Sequence, residues 1–196
     1  LKQINYLLMK IMKFGGTSVG NPDRMIALIP LINDDERKIV VLSAMAGTTN
    51  SLVEITDLLF ADNINEASQK NDELRSKYLQ VTEELFATES FRKAGRDLID
   101  SHFEYIRNFT LRVFTKLQEK AILAQGELIS TSLFHMLLQE RNIKSILLPA
   151  LSFMRIDKDG EPDSFYIKEN IKRELGNHKS ENIIITQGYI CRNAYG

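Results

Sequence analysis

The segment Lys13–Gly20, KFGGTSVG, follows a short apolar run and precedes a helix start signalled by Asn21 and Pro22. A strand, a glycine-rich turn and a helix in this order form one βα unit, with Asn21 as the expected N-cap and Pro22 as the first helical residue. Two adjacent glycines allow backbone amides to approach an anion closely, and Lys13 supplies a positive charge beside them. By itself the segment fits a phosphate-binding loop and an ordinary tight turn equally well.

The glycines of this segment match neither of two common nucleotide-binding patterns. The spacing from Gly15 to Gly20 is that of a P-loop, but Asn21 and Pro22 stand where a P-loop has Lys and Ser or Thr. Thr17 occupies the place of the second glycine in the dinucleotide pattern G-x-G-x-x-G. A phosphate site here would therefore be of another kind.

Four short runs rich in Ile and Val indicate buried strands, and amphipathic segments alternate with them. This order predicts an α/β fold with a mostly parallel central sheet flanked by helices. The predicted strands are Met9–Phe14, Lys38–Ser43, Lys144–Leu148 and Asn182–Thr186. Residues 64–119 contain no Pro and only one Gly, which predicts a long helical hairpin insertion with a break near Thr88–Gly95. Further helices are predicted at Thr49–Leu59, Ala121–Gln139 and Phe165–Leu175.

Composition excludes several classes of protein. With 25 Lys and Arg against 26 Asp and Glu, the 196-residue chain has a formal net charge of −1, which argues against a nucleic-acid-binding protein. No apolar run approaches the about 18 residues of a membrane span, so no membrane association is expected. A single Cys rules out an intramolecular disulfide framework and suits the cytoplasm.

We interpret residues 1–8 as a non-native or disordered extension.

Two further segments carry candidate site residues. Ser43–Asn50, SAMAGTTN, follows the second predicted strand, and Thr49 or Asn50 is the expected cap of the next helix. Loops after neighbouring parallel strands would face one crevice, where ligands bind in such sheets. Glu127 follows a mid-helix glycine and lies at the edge of the apolar stripe of its predicted helix. This position fits either a functional carboxylate or a solvated carboxylate at the margin of the stripe. No spacing typical of a metal site or a Ser/His/Asp triad is found.

Five segments together resemble the aspartokinases of the amino acid kinase family. They are KFGGTSVG at Lys13–Gly20, VLSAMAGTTN at Val41–Asn50, GELIST at Gly126–Thr131, FMR at Phe153–Arg155 and ITQGYI within Ile184–Ile190. The resemblance implies transfer of the γ-phosphoryl group of ATP, with Mg²⁺, to the side-chain carboxylate of L-aspartate. Carried over, the residues near the phosphates are Lys13, which is also the catalytic residue, Gly15, Gly16 and Ser43. Those near aspartate are Thr49, Glu127, which would hold the amino group, and Tyr189, which would line the pocket.

The sequence also departs from the pattern of this family. Cys191 replaces an expected glycine, and Ala150, Leu151 and Ser152 replace a D-x-R element. A later family segment that binds aspartate and phosphates is absent. The resemblance therefore implies that residues 9–196 are the N-terminal, acceptor-binding part of the catalytic domain, without the nucleotide-binding half or ACT domains. We expect this part to be inactive alone and the complete protein to be a homo-oligomer.

Two alternatives remain open at the level of sequence. Another amino acid kinase could act on glutamate or N-acetylglutamate, although an N-acetylated acceptor has no ammonium group for Glu127 to bind. The chain could instead be a non-catalytic interaction fragment whose helical hairpin forms a dimer interface.

Overall fold

The computed structural model describes residues 9–111 and 114–195, and within them a four-stranded sheet forms the centre of the fold. All three pairs of neighbouring strands are parallel, in the order β1-β2-β4-β3. The strands are β1 (Lys10–Phe14), β2 (Lys38–Leu42), β3 (Ser145–Leu147) and β4 (Ile183–Gln187). The predicted α/β fold with a parallel sheet is confirmed, and each strand boundary lies within one residue of its predicted position.

Six α-helices flank this sheet in the described part of the chain. They are α1 (Pro22–Ile32), α2 (Thr48–Phe60), α3 (Ile64–Leu85), α4 (Glu89–Arg107), α5 (Lys116–Glu140) and α6 (Ser164–Asn177). The start of α1 is as predicted: Asn21 Oδ1 accepts a hydrogen bond from the Arg24 N–H at 2.9 Å, and Pro22 is the first helical residue.

Alternation along the strands divides the core into two layers of unequal size. Val40 and Ile185 face the larger layer, which contains the apolar faces of α1 to α5. Ile39 and Ile184 face the opposite side, where Ile171 and other residues of α6 pack against them. Because successive side chains of a strand point to opposite faces, continuous apolar runs are needed to supply both layers.

The helical hairpin α3–α4 differs in detail from its prediction. The chain turns at Phe86–Thr88, and Gly95 lies inside α4 rather than at the break. A Cβ atom at Gly95 would lie 2.9 Å from Phe86 Cε2, so this glycine allows close packing of the two helices. The hairpin ends at Arg107 instead of residue 119. Helix α5 begins at Lys116, where Gln118 Oε1 accepts a hydrogen bond from the Thr115 backbone N–H at 2.7 Å.

Helix α5 is long and apolar enough, by length and composition, to cross a membrane. In this fold it is a core helix: Ile122, Ile129, Leu133 and Leu137 are buried within the larger hydrophobic layer. Residues 1–8, interpreted above as an extension, lie outside the described residues.

Candidate active site

Three loops meet at the carboxyl edge of the sheet. Because β1, β2 and β4 are consecutive neighbours, the segments that follow them emerge side by side. The Ser43 N–H donates to the Phe14 carbonyl oxygen at 3.2 Å, which links the starts of the first two loops. The structure therefore brings the two glycine-containing segments and the Gly188–Tyr189 segment together, as the crevice hypothesis requires.

The first loop approaches the second at van der Waals distance through a glycine. A Cβ atom at Gly16 would lie 2.9 Å from the Ala44 carbonyl oxygen, so any side chain there would force the loops apart. Gly15 faces open space, with no heavy atom within 4 Å of its ideal Cβ position. Lys13, the last residue but one of β1, has an exposed side chain. The backbone at Gly15 is therefore open to a ligand, and the exposed Lys13 lies two residues before it.

The second loop enters α2 through Gly47, whose φ of +82° lies in the left-handed region that favours glycine. Gly47 is itself the N-cap and no side chain caps the helix, so the prediction of Thr49 or Asn50 as the cap is wrong. Thr49 is exposed in the first turn of α2. Ser43 is half-buried, and its carbonyl oxygen accepts a hydrogen bond from Ser130 Oγ of α5 at 2.8 Å.

Glu127 lies on α5 beneath these loops and is 8% exposed. Its Oε2 atom accepts a hydrogen bond from the Tyr189 backbone N–H at 2.7 Å. Burial raises the pKa of the Glu127 carboxyl above its usual value, while the N–H groups of Tyr189 and Gly188 and the charge of Lys13 offset part of this rise. The alternative of a solvated glutamate at the helix margin is therefore wrong.

Gly126 explains how α5 can carry this carboxylate so close to the second loop. A Cβ atom at Gly126 would lie 2.9 Å from Ala44 Cβ, 3.1 Å from Thr48 Cγ2 and 3.4 Å from Leu52 Cδ1. Glycine has a low helix propensity, and close packing of α5 against α2 and the loop before it explains its presence in the middle of this helix.

The third loop contributes its backbone to the site. The Tyr189 side chain is 94% exposed and projects into solvent, whereas its N–H contacts Glu127. Its predicted role in lining the substrate pocket stays a prediction. Gln187, to which the sequence assigned no role, is buried: its Nε2 donates to Thr131 Oγ1 and its Oε1 accepts from the Ala150 N–H, both at 2.8 Å. These two hydrogen bonds of Gln187 hold the C-terminal end of β4 against α5 and against the segment that follows β3.

The Thr48 hydroxyl is a contact that sequence reasoning missed. Thr48 Oγ1 and the Tyr78 hydroxyl of α3 lie 2.7 Å apart in the protein interior. Tyr78 is buried, and only the tertiary structure shows that its hydroxyl reaches from α3 to the start of α2.

Neither of two surface cavities in the described part of the chain is lined by Lys13, Glu127 or Tyr189. A groove of about 410 Å³ runs along α2 beside Val53 and Asp57. A pocket of about 340 Å³ lies beside Arg155, Arg173 and Arg192, but Arg155 and Arg173 are already paired with Asp163 and Glu174. Over residues 9–111 and 114–195, no group of three or more metal-ligating side chains is present. The candidate site is therefore an open crevice between loops rather than an enclosed cavity.

Known proteins are similar to this chain over most of its length. Lysine-sensitive aspartokinase 3 of Escherichia coli is 31% identical over 184 residues, which cover 92% of this chain and 40% of that protein. A bifunctional aspartokinase/homoserine dehydrogenase of Buchnera aphidicola is 26% identical over 202 residues, covering 94% of this chain and 24% of that protein. The chain thus spans less than half the length of these relatives.

Solved structures show the same arrangement of elements. Escherichia coli aspartokinase III in complex with lysine and aspartate has a TM-score of 0.80 and 29% identity, over 96% of this chain and 42% of that one. The same enzyme in complex with aspartate and ADP gives a TM-score of 0.79 with equal coverage. The family model for the amino acid kinases matches residues 9–196. This chain belongs to the amino acid kinase family.

Proposed function

We propose that this chain forms the acceptor-binding part of an aspartate kinase, which phosphorylates the side-chain carboxylate of L-aspartate to give 4-phospho-L-aspartate. The buried Glu127 carboxylate is the observation that supports this most strongly. A carboxylate that burial destabilises gains most from a cationic ligand, because the ligand restores the charge balance that water would otherwise supply. The ammonium group of an amino acid is such a ligand, and Thr49 would contact the same substrate.

The phosphate end of the site is proposed to use the first two loops. Lys13 would offset the negative charge on the transferring phosphoryl group, and backbone amides at Gly15 and Gly16 would bind phosphate oxygens, with Ser43 beside them. The open space at Gly15 and the close approach of Gly16 to Ala44 support this assignment, since both keep side chains away from the phosphates.

The chemistry asks for positioning and charge neutralisation rather than for a general base. A carboxylate oxygen of aspartate attacks the γ-phosphorus of ATP, and the bond to the bridging oxygen breaks as ADP leaves with its electron pair. The acceptor is already ionised near neutral pH, so no proton has to be removed. Mg²⁺ bound to the nucleotide phosphates supplies further charge neutralisation, and no ligand set for it is assigned to the described residues.

The finer biological setting follows from the same proposal. It includes the first step of lysine, threonine and methionine biosynthesis, a cytoplasmic location, and a homo-oligomeric complete protein. The single Cys among 196 residues is consistent with the cytoplasm.

The proposal is tested by calorimetric titration of this chain with L-aspartate, L-glutamate, N-acetyl-L-glutamate and Mg-ATP. We expect weak, saturable binding of L-aspartate that Glu127→Ala abolishes, and weaker binding of the two longer acceptors. Preference for L-glutamate or N-acetyl-L-glutamate would favour another amino acid kinase. Tight Mg-ATP binding with no effect of aspartate would show that the acceptor site has been assigned wrongly.

A further inference from the structure

The helical hairpin α3–α4 contacts both elements that carry the proposed aspartate-binding residues. From α3, Tyr78 is 1% exposed and its hydroxyl lies 2.7 Å from Thr48 Oγ1, at the start of α2. From α4, His102 Nδ1 lies 2.5 Å from Gln125 Oε1 on α5, two residues before Glu127. The hairpin is therefore joined by hydrogen bonds to the helix of Thr49 and to the helix of Glu127.

Thr48, at the start of α2, lies against both α3 and α5. Its hydroxyl bonds to Tyr78, and its methyl carbon lies 3.1 Å from the position that a Cβ of Gly126 would take. Along the chain it follows Gly47, a left-handed residue, and precedes Thr49. A change in the position of Thr48 would thus move Thr49 directly and Glu127 through the contact with Gly126.

Packing within the hairpin core explains why the Tyr78 ring is buried, but it does not explain why the hydroxyl is bonded to the start of α2. The ring packs near Phe103, with ring centroids 5.8 Å apart, within the core of the hairpin. Burial raises the pKa of the Tyr78 hydroxyl, which keeps the group protonated and able to donate. A phenylalanine would preserve the ring packing and lose only the bond to the α2 start.

We propose that Tyr78 is a positioning residue for the acceptor site, acting through Thr48 to hold Thr49 and Glu127 at the spacing that an amino acid acceptor needs. The inference rests on the proposed function, because it assigns the helical hairpin a role in that same site. The hydroxyl of Tyr78 bonds to Thr48 and not to either of the two proposed substrate-binding residues.

Three variants of this chain test the role. Tyr78→Phe removes one hydroxyl, Thr48→Val removes the other while retaining a methyl group toward Gly126, and the double variant removes both. Tyr105→Phe, on the half-exposed face of α4, is the matched control. Affinity for L-aspartate is measured by calorimetry at a temperature where circular dichroism shows every variant folded, and thermal unfolding is followed separately.

Each single variant is expected to weaken L-aspartate binding about three- to tenfold. This is the change in affinity that corresponds to the free energy of one hydrogen bond, here the bond between Tyr78 and Thr48. The double variant should bind no more weakly than either single variant, because both substitutions break the same bond. Tyr105→Phe should bind as the unchanged chain does. Amide exchange at Ser51, whose N–H donates to the Gly47 carbonyl oxygen, should accelerate in Tyr78→Phe without ligand.

The possible failures are distinguishable. Lower thermal stability of Tyr78→Phe with unchanged aspartate affinity would overturn the positioning role and leave the proposed function intact. Affinity losses that add in the double variant would also overturn it, since the two hydroxyls would then act independently. Absence of aspartate binding by the unchanged chain would overturn the proposed function and this inference together.

Discussion

Substitution of Gly126 by alanine tests whether close packing of α5 against the second loop sets the geometry of the site. The added Cβ would meet Ala44 Cβ at 2.9 Å and Thr48 Cγ2 at 3.1 Å. Overpacking of this kind costs about 1–3 kcal/mol, whereas replacing a mid-helix glycine by alanine returns about 1 kcal/mol. The net expectation is a loss of about 1 kcal/mol, or about 2–4 °C in Tm for a chain of this length.

Two other glycines provide the controls for Gly126→Ala. A Cβ at Gly95 would lie 2.9 Å from Phe86 Cε2, so Gly95→Ala should lower Tm similarly but leave aspartate affinity unchanged. Gly176, in α6, has no heavy atom within 4 Å of its ideal Cβ, so Gly176→Ala should raise Tm. Tm is measured by circular dichroism and affinity by calorimetry. A rise in Tm for Gly126→Ala, with unchanged aspartate binding, would refute the close-packing argument.

Three further predictions follow from the same contacts. Gly16→Ala should lower the free energy of unfolding by about 1–3 kcal/mol in urea titrations, because its Cβ would meet a backbone atom, the Ala44 carbonyl oxygen, at 2.9 Å. Glu127→Gln should raise the stability of the free chain at pH 7, because the folded-state pKa of Glu127 is raised and its ionised form therefore costs stability above that pKa. Glu140→Gln should cost about 1 kcal/mol in urea titrations, since the Glu140 carboxylate accepts hydrogen bonds from the N–H groups of Ala87 and Thr88.

Each of these predictions has a result that would contradict it. Unchanged stability of Gly16→Ala would mean that the two loops are not in contact as described. For Glu127, stability of the unchanged chain should fall as pH rises from 4.5 through the raised pKa, and Glu127→Gln should remove this dependence; equal pH profiles would contradict the burial of the charge. Unchanged stability of Glu140→Gln would exclude its role in holding the hairpin turn.

Local sequence rules predict the elements of this fold well. Short Ile- and Val-rich runs become the four parallel strands, and the Asn21-Pro22 pair starts α1 as expected. The signals are strong because strand burial on both faces and N-terminal capping each depend on a few adjacent residues. The hairpin boundaries are less well predicted. Gly95 lies inside α4 because its small size allows close packing against Thr82 and Phe86, and these contacts cannot be seen in the sequence around Gly95.

Long-range contacts account for what the sequence does not predict. Lys38 lies in the strand β2 and is fully buried, yet its ammonium group is bound by the Ile32 carbonyl oxygen and by Asp34. A charged residue in a strand pattern gives no indication of such partners. The bond between Tyr78 and Thr48 likewise joins residues 30 positions apart in the chain. Burial of Glu127 could be suspected from its neighbour Gly126, but its contact with the Tyr189 N–H depends on strand order.

The most direct test of the site is a comparison of L-aspartate with succinate, which has the same two carboxylates and no ammonium group. Both are titrated calorimetrically into the unchanged chain and into Glu127→Gln. A charge-assisted hydrogen bond to Glu127 predicts that the unchanged chain binds L-aspartate at least about tenfold more tightly than succinate. Glu127→Gln should lose most of this preference. Equal affinities for the two ligands in the unchanged chain, or a preference that persists in Glu127→Gln, would contradict the assignment of Glu127 to the substrate ammonium group.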